Sequence, residues 1–238
     1  MDKPHALIIG ASSGIGFACV KRFEGKFRIS ALARRVHVFE DFDPENVRCV
    51  SCDVSSAESI EVAFSVAVKE FGKISVLIIC AGVQLIKPIR SLKLADIRNV
   101  IDVNLTSQVI AASLFASQKY SEQQAVLCVV SSVAASNPEP GIVLYSATKA
   151  ASEALVAGLA RELSPRRVVG VAPGWLDTDM TRAYKNIYSE SFIKELSRKS
   201  PVGIATVDDV VDAIEFLISN KAKLITGRII TVDGGASL

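Results

Sequence analysis

An α/β fold, a doubly wound parallel sheet of seven strands with helices on both faces, is predicted by three observations on the 238-residue chain. Short apolar runs such as Ala6-Leu7-Ile8-Ile9 lack the alternation of a half-exposed strand, so they read as strands buried on both faces. These runs alternate with helical stretches from end to end. The residues able to do chemistry fall just past a run or on the helix after it, where open parallel sheets bind ligands.

The first run leads into Gly10-Ala11-Ser12-Ser13-Gly14-Ile15-Gly16. Strand, glycine turn and helix make a phosphate cradle: Gly10 allows the tight turn, Gly14 lets backbone approach a pyrophosphate, and Gly16 lets the helix pack close. The spacing is G-x-x-x-G-x-G, not the commoner G-x-G-x-x-G, and a purely structural turn fits the same residues. The second strand, 28–33, ends in Ala33-Arg34-Arg35. A carboxylate for a free ribose 2′-hydroxyl is expected about 20 residues past the glycines. Here Ala33 and two guanidiniums stand instead, which suits a 2′-phosphate and predicts NADP(H), with solvated surface arginines as the alternative.

Residues 36–46 are acidic, contain Pro44 and lack periodicity, so a loop or single turn is expected. A third strand over 47–52 delivers Asp53-Val54, and Ser55 or Ser56 caps a helix to about Phe71. Asp53 is placed to meet a base edge. The fourth strand, 76–80, ends in Cys80-Ala81-Gly82, small enough for backbone to lie near a ligand. Residues 92–120 read as helix with Asn104 inside it, a poor helix former that predicts a kink and a carbonyl freed for water. The fifth strand, 125–130, delivers Ser131-Ser132, and a Pro/Gly loop over 137–141 leads to Tyr145-Ser146-Ala147-Thr148-Lys149.

If the Ala-rich stretch 147–163 is helical, Tyr145 and Lys149 share a face. Bringing a phenol from ~10 to about 7 takes roughly 4 kcal/mol, which a close ammonium could supply; a surface tyrosine along a lysine stem is the bland alternative. A sixth strand over 167–172 precedes Pro173-Gly174-Trp175-Leu176-Asp177-Thr178, and a polar and aromatic stretch about 180–200 reads as a lid. Thr206 or Asp208 starts a helix to Ser219, and 228–232 is the seventh strand. With no repeat or linker, 1–238 reads as one domain.

Half the chain is apolar, and its net charge of +2 comes without a polybasic run, so neither nucleic acid nor a membrane is expected as a partner. Cys19, Cys49, Cys52, Cys80 and Cys128 are odd in number and sit mostly in apolar runs, as reduced thiols would. Cys49 and Cys52 face opposite sides of a strand, and His5 and His37 offer no ligand pair, so no metal is expected. No window approaches the ~18 apolar residues of a membrane span, and the glycine turn comes too early for a signal peptide, so a cytoplasmic location is expected.

Together these residues resemble the short-chain dehydrogenase/reductase family along essentially the whole chain. The resemblance rests on the glycine turn, Asp53-Val54, Asn104, Ser132, Tyr145-x-x-x-Lys149, Pro173-Gly174, and Ile225-Thr226-Gly227 to Val232-Asp233-Gly234-Gly235. It implies a Rossmann-type domain with Asn104, Ser132, Tyr145 and Lys149 as catalytic tetrad. Implied cofactor contacts include Ser12, Ile15, Gly82, Leu176 and Thr178; with Gly10, Ser13, Gly14, Gly16, Arg34, Arg35, Asp53, Val54, Cys80, Ala81, Tyr145, Lys149, Pro173 and Gly174 they complete the expected set. The implied reaction is hydride transfer between NADP(H) and a ketone or secondary alcohol, with Tyr145 as acid or base, Lys149 lowering its pKa and Ser132 holding the carbonyl oxygen.

Val171-Ala172-Pro173-Gly174 and Asp177-Thr178-Asp179-Met180 are most similar to the 3-oxoacyl-carrier-protein reductase branch. A 3-oxoacyl thioester or another apolar carbonyl is therefore expected, in a mostly apolar pocket of Ser132, Val133, Leu144, Tyr145, Trp175 and Tyr184. Lys119, Arg166 and Arg167 are candidate docking cations for an acyl carrier. A homotetramer, or a homodimer, is implied through helices over 104–120 and 145–163. Ile79-Cys80 stands where the family has Asn-Asn, Val169 where an asparagine is common and Ile9 where a threonine is usual. The first departure motivates an alternative: a catalytically weak NADP(H)-sensing or partner-binding protein.

Overall fold

The computed structural model describes residues 3–238. Seven strands, β1 (His5–Ile9), β2 (Arg28–Ala33), β3 (Val47–Ser51), β4 (Ile74–Ile79), β5 (Ser121–Val130), β6 (Arg167–Pro173) and β7 (Arg228–Val232), form one sheet in the order β3-β2-β1-β4-β5-β6-β7. All neighbours are parallel. The chain winds outward from β1 to β3, then restarts at β4 and winds the other way. Its switch point, where ligands bind in such sheets, therefore lies between the carboxyl ends of β1 and β4.

The helices are α1 (Gly14–Phe23), α2 (Ala57–Phe71), α3 (Leu94–Ile101), α4 (Ser107–Ala116), α5 (Val143–Glu162), α6 (Asp179–Arg182), α7 (Glu190–Lys199) and α8 (Val207–Ile218). Alternation along β1 explains the two cores. Ala6 and Ile8 point to one face, under α1 and α8 with Phe23 and Ile214. Leu7 and Ile9 point to the other, under α2, α4 and α5 with Phe64, Phe115 and Val156. Every residue of β1 is buried, as its unbroken apolar run requires. Each large aromatic in these layers contributes about 1.5–3 kcal/mol by burial, and Phe115→Ala would cost about 3–5 kcal/mol because the packed interior cannot close on the void.

Local signals set the element ends. Ser56 Oγ accepts the Ser59 N–H to cap α2, and Thr206 with Asp209 makes a reciprocal cap for α8. Residues 36–46 hold one 3₁₀ turn, His37–Phe39, pinned by Phe39 against Phe17 and Phe42. Several strand ends shift by one or two residues, and three differences from expectation are larger. β5 starts at Ser121, earlier than 125, because Ser121 pairs with Ile74. α5 starts at Val143, ahead of the Ala-rich stretch. The expected helix over 92–120 is two helices joined by a π turn, Asp102–Thr106, closed by the Ser107 N–H on the Asp102 carbonyl, with Asn104 at its centre.

Lys119 precedes β5, Arg166 precedes β6 and Arg167 opens it, so all three lie at the amino ends of the strands. That is the opposite edge from the ligand-binding end, which removes them as docking cations for a substrate in the cleft. Arg166 is buried and its Nε donates to Ser121 Oγ at 2.8 Å; Arg167 donates to the carbonyls of Leu217, Ser219 and Ile225. Both guanidiniums fasten the fold. Among the described residues no helix is long and apolar enough to cross a membrane, and no His/Cys/Asp/Glu group could hold a metal ion.

Candidate active site

A cavity of about 1220 Å³ crosses the carboxyl ends of the central strands, from Arg34 and Asp53 past the glycine turn to Tyr145 and Tyr188. Its floor is set by close backbone packing. Gly10 has φ 81°, and a Cβ there would stand 2.6 Å from the Ala81 nitrogen; one on Gly16 would stand 2.3 Å from the Gly10 carbonyl oxygen. Any side chain at either place would push α1 off β1 and β4. Ser13, Gly14, Ile15 and Gly16 line the cavity where α1 begins, and the first amides of a helix have no partner within it. Ser13 supplies no side-chain cap either. The turn is a cradle for an anion.

Arg34 and Arg35 stand on the lip after β2. Arg35 donates to the Ser12 carbonyl at 3.2 Å and lies 3.8 Å from Asp179, both exposed contacts that leave its guanidinium half free. Asp53 Oδ1 accepts the Ser55 N–H at 3.0 Å and the Ser55 hydroxyl at 2.8 Å, and these bonds hold its carboxyl below the usual range. Val54, Cys80, Ala81, Gly82, Pro173, Gly174, Leu176 and Thr178 complete the wall.

At the far end Ser132, just past β5, and Tyr145 and Lys149, on α5, meet in the same cavity. Ser132 Oγ accepts the Ala134 N–H at 3.2 Å, which fixes its rotamer. Burial pushes the Tyr145 phenol up to about 12, with a hydrogen bond from Ser132 acting against it. Burial also pulls the Lys149 ammonium down to about 8; it donates to the Val130 carbonyl at 2.8 Å and lies 5.7 Å from the Tyr145 ring centroid. The expected lowering of the phenol toward 7 is therefore corrected: the shift is upward, because desolvation of a buried phenolate outweighs an ammonium aimed at a backbone carbonyl.

Asn104 lies behind this group, fully buried and outside the cavity lining. Its amide accepts the Val83 N–H at 2.7 Å and donates to the Val83 carbonyl at 2.9 Å and Thr148 Oγ1 at 3.1 Å. Thr148 Oγ1 donates on to the Tyr145 carbonyl at 2.7 Å. The side chain thus braces the loop after β4 against α5, and any water-holding role falls to its backbone.

Over Tyr145 stand three aromatics, Trp175, Tyr188 and Phe192, with ring centroids 5.1–6.2 Å apart. Gln84 Nε2 donates to the Tyr188 phenol oxygen at 2.9 Å, and Tyr184 donates to the Gln84 carbonyl at 3.0 Å. Val133 and Trp175 line the cavity as expected of pocket residues, whereas Leu144 and Tyr184 do not. Leu144 is one helical step, about 100°, round α5 from Tyr145, and the Tyr184 hydroxyl is spent on the Gln84 carbonyl. Ile142, Tyr188 and Phe192 take those places, and Gln84, Asn99, Asn137 and Glu139 make the lining more polar than expected. No periodicity marked the missed pair: Phe192 is on α7, but Tyr188 lies two residues before that helix and meets Phe192 only through the fold of the segment.

The family described as enoyl-(acyl carrier protein) reductase matches residues 10–237. The chain belongs to the short-chain dehydrogenase/reductase family. This short-chain dehydrogenase/reductase is similar to the 3-oxoacyl-[acyl-carrier-protein] reductase MabA of Mycobacterium tuberculosis, 28% identical over 234 residues that cover 98% of this chain and 92% of MabA. Among solved structures it is similar to a short-chain dehydrogenase/reductase (glucose/ribitol dehydrogenase) from Brucella melitensis, at TM-score 0.91 and 27% identity over 99% of this chain and 97% of that one. A 3-ketoacyl-(acyl-carrier-protein) reductase from the same organism, complexed with NADH, gives TM-score 0.85 and 26% identity over 100% and 99%. Short-chain dehydrogenase/reductases bind nicotinamide cofactors, and the anion cradle, the small-residue floor and the long cleft of this member fit one.

Proposed function

We propose that the protein is an NADP(H)-dependent oxidoreductase that interconverts a ketone and a secondary alcohol, working as a single domain in the cytoplasm, where its five free cysteines stay reduced. The observation that carries this reading is the convergence of Ser132, Tyr145 and Lys149 at one end of a cleft whose other end holds the glycine turn, Arg34 and Arg35.

The glycine turn would hold the pyrophosphate, Arg34 and Arg35 a 2′-phosphate, and Asp53 and Val54 the adenine. Cys80, Ala81, Gly82, Leu176 and Thr178 would line the remainder. The bound nicotinamide supplies or accepts the hydride. Tyr145, protonated throughout the neutral range because of its raised pKa, donates its phenolic proton to the carbonyl oxygen as that oxygen gains charge. The Ser132 hydroxyl hydrogen-bonds the same oxygen and takes part of the charge. Lys149, cationic below about 8, stabilises the phenolate left behind by attraction across the ring. In the alcohol-oxidising direction the phenolate is the base.

A 3-oxoacyl thioester or another carbonyl with an apolar body is the substrate class supported by the likeness to MabA and by Trp175, Phe192 and Ile142 in the lining. Assembly into a homotetramer through α4 and α5 is supported by Val109 and Val143, exposed on those helices, and analytical ultracentrifugation reads it directly. The test of the reaction is NADPH oxidation across a panel of ketones, beside equilibrium titrations with NADPH and NADH. A second reading, a weakly catalytic NADP(H) sensor, is favoured by Cys80 in the cleft wall where the family has an asparagine. Tight NADPH binding without oxidation over the whole panel would select it.

A further inference from the structure

We infer that Gln84 and Trp175 form a recognition pair for a hydroxyl group on the substrate, so that the carbonyl compound is a hydroxyketone rather than a plain acyl chain. The inference deepens the reading above and rests on it for the carbonyl. Seven buried side-chain polar atoms among the described residues lack a hydrogen-bond partner. The two on side chains that line the cavity are Gln84 Oε1 and Trp175 Nε1. A buried polar group without a partner is costly, so two of them in one cleft wall point to a ligand that completes them. Their chemistry is complementary: an amide oxygen only accepts and an indole N–H only donates. A hydroxyl carries both complements, a proton to donate to Oε1 and a lone pair to accept from the indole.

The pair meets around Tyr188. Gln84 Nε2 donates to its phenol oxygen at 2.9 Å, and the Trp175 ring packs against it at 6.1 Å between centroids. Gln84, Trp175 and Tyr188 line the same cavity as Tyr145, the proposed acid. Tyr188 and Phe192 both pack on the Trp175 ring, at 6.1 and 6.2 Å between centroids. This packing is light: α7, which carries Phe192, has no buried residue, so a substrate can lift it and take up both bonds. A methylene chain offers neither bond, and a thioester carbonyl would answer Trp175 while leaving Gln84 Oε1 unmet. A hydroxyl near the reacting carbon offers both.

Trp175 is the chain's one tryptophan, so its emission reports occupancy without turnover. The experiment compares cyclohexanone with 2-hydroxycyclohexanone in NADPH oxidation, and cyclohexanol with cyclohexane-1,2-diol in a fluorescence titration of the NADP⁺-loaded protein. The expected result is a kcat/KM about 100-fold higher for the hydroxyketone, and saturation by the diol at a concentration at least about tenfold lower than by the alcohol. Trp175→Phe, which keeps an aromatic ring but loses the indole N–H, and Gln84→Met, which is close in volume, each cut the kcat/KM ratio by about tenfold, and Gln84→Met also removes the diol preference in fluorescence; NADPH binding checks that both variants are folded. Equal kcat/KM for the two ketones and equal saturation by the two alcohols would overturn the pair while leaving the reaction standing. Preferential diol binding with no NADPH oxidation by any ketone would support the pair and overturn the reaction.

Discussion

Lys149, on α5, donates to the carbonyl oxygen of Val130 at the end of β5 at 2.8 Å, and the residue is only 3% exposed, so little water offsets the cost of its charge. Burial sets its pKa near 8, against 10.5 for the free side chain. Two opposite trends follow. Reductive kcat/KM holds level up to about pH 8 and then falls as the ammonium is lost, with Tyr145 still protonated. Stability moves the other way: between about 8 and 10.5 the unfolded chain binds the extra proton, so folding gains free energy as pH rises through that window. A pH-rate profile and urea unfolding at pH 8 and 10 check both, and activity that stays level to pH 10 contradicts the assignment.

Replacing Tyr145 by Phe keeps the ring in its buried slot and removes only the proton donor. Turnover is expected to drop by about 10³-fold, a barrier increase of roughly 4 kcal/mol. NADPH binding, which the proposed reading assigns to the glycine turn and the Arg34-Arg35 lip, is expected to persist within about threefold by equilibrium titration. A variant that retains near-wild-type turnover removes Tyr145 from the role of acid.

The sheet was legible because β1, β4 and β6 are buried on both faces, which leaves unbroken apolar runs that few other structures produce. The strand ends were legible for a related reason: the ligand-facing turns at Gly10 and Gly174 leave no room for a side chain, and glycines stand out. What depended on tertiary placement was not. The Tyr145 and Lys149 spacing showed that the two share a face, but the sign of the phenol's shift is set by how deeply α5 sits, which spacing does not encode. Arg166 looked like surface charge until Ser121, 45 positions earlier, proved to be its partner. Tyr188 lay in a stretch with no strong periodicity, so its place beside Tyr145 follows from how the lid folds back over Gln84. Asn104 announced an interruption, but whether the chain would kink, break or widen into a π turn was decided by the Val83 backbone it braces.

Arg34→Ala is expected to weaken NADPH binding by about 10- to 100-fold while changing NADH binding by less than about threefold, because in the proposed reading Arg34 holds a 2′-phosphate that NADH lacks. Arg35→Ala is expected to act less selectively, since Arg35 also donates to the Ser12 carbonyl that shapes the glycine turn. Dissociation constants for both cofactors read the two effects, and equal losses for NADPH and NADH with Arg34→Ala would remove the case for a 2′-phosphate.

His5 provides a stability test away from the cleft. Its ring is buried between Gly72, whose carbonyl lies 2.8 Å from Nδ1, and Ser30, whose hydroxyl lies 2.9 Å from Nε2. With Nδ1–H donating to the carbonyl, Nε2 accepts from Ser30, and the neutral ring is satisfied at both ends. Burial pulls its pKa from 6.5 to about 4. Because the folded pKa is the lower one, the stabilising effect is complete above 6.5 and is lost as pH falls from 6.5 toward 4, by roughly 3 kcal/mol in all. His5→Gln has nothing to protonate, so its loss of stability between pH 7 and 4.5 is expected to be smaller than that of the wild type by most of this amount, the remainder being carboxylates common to both proteins. Chemical denaturation at the two pH values measures the difference, and parallel losses in the two proteins would show that His5 is not the group that titrates.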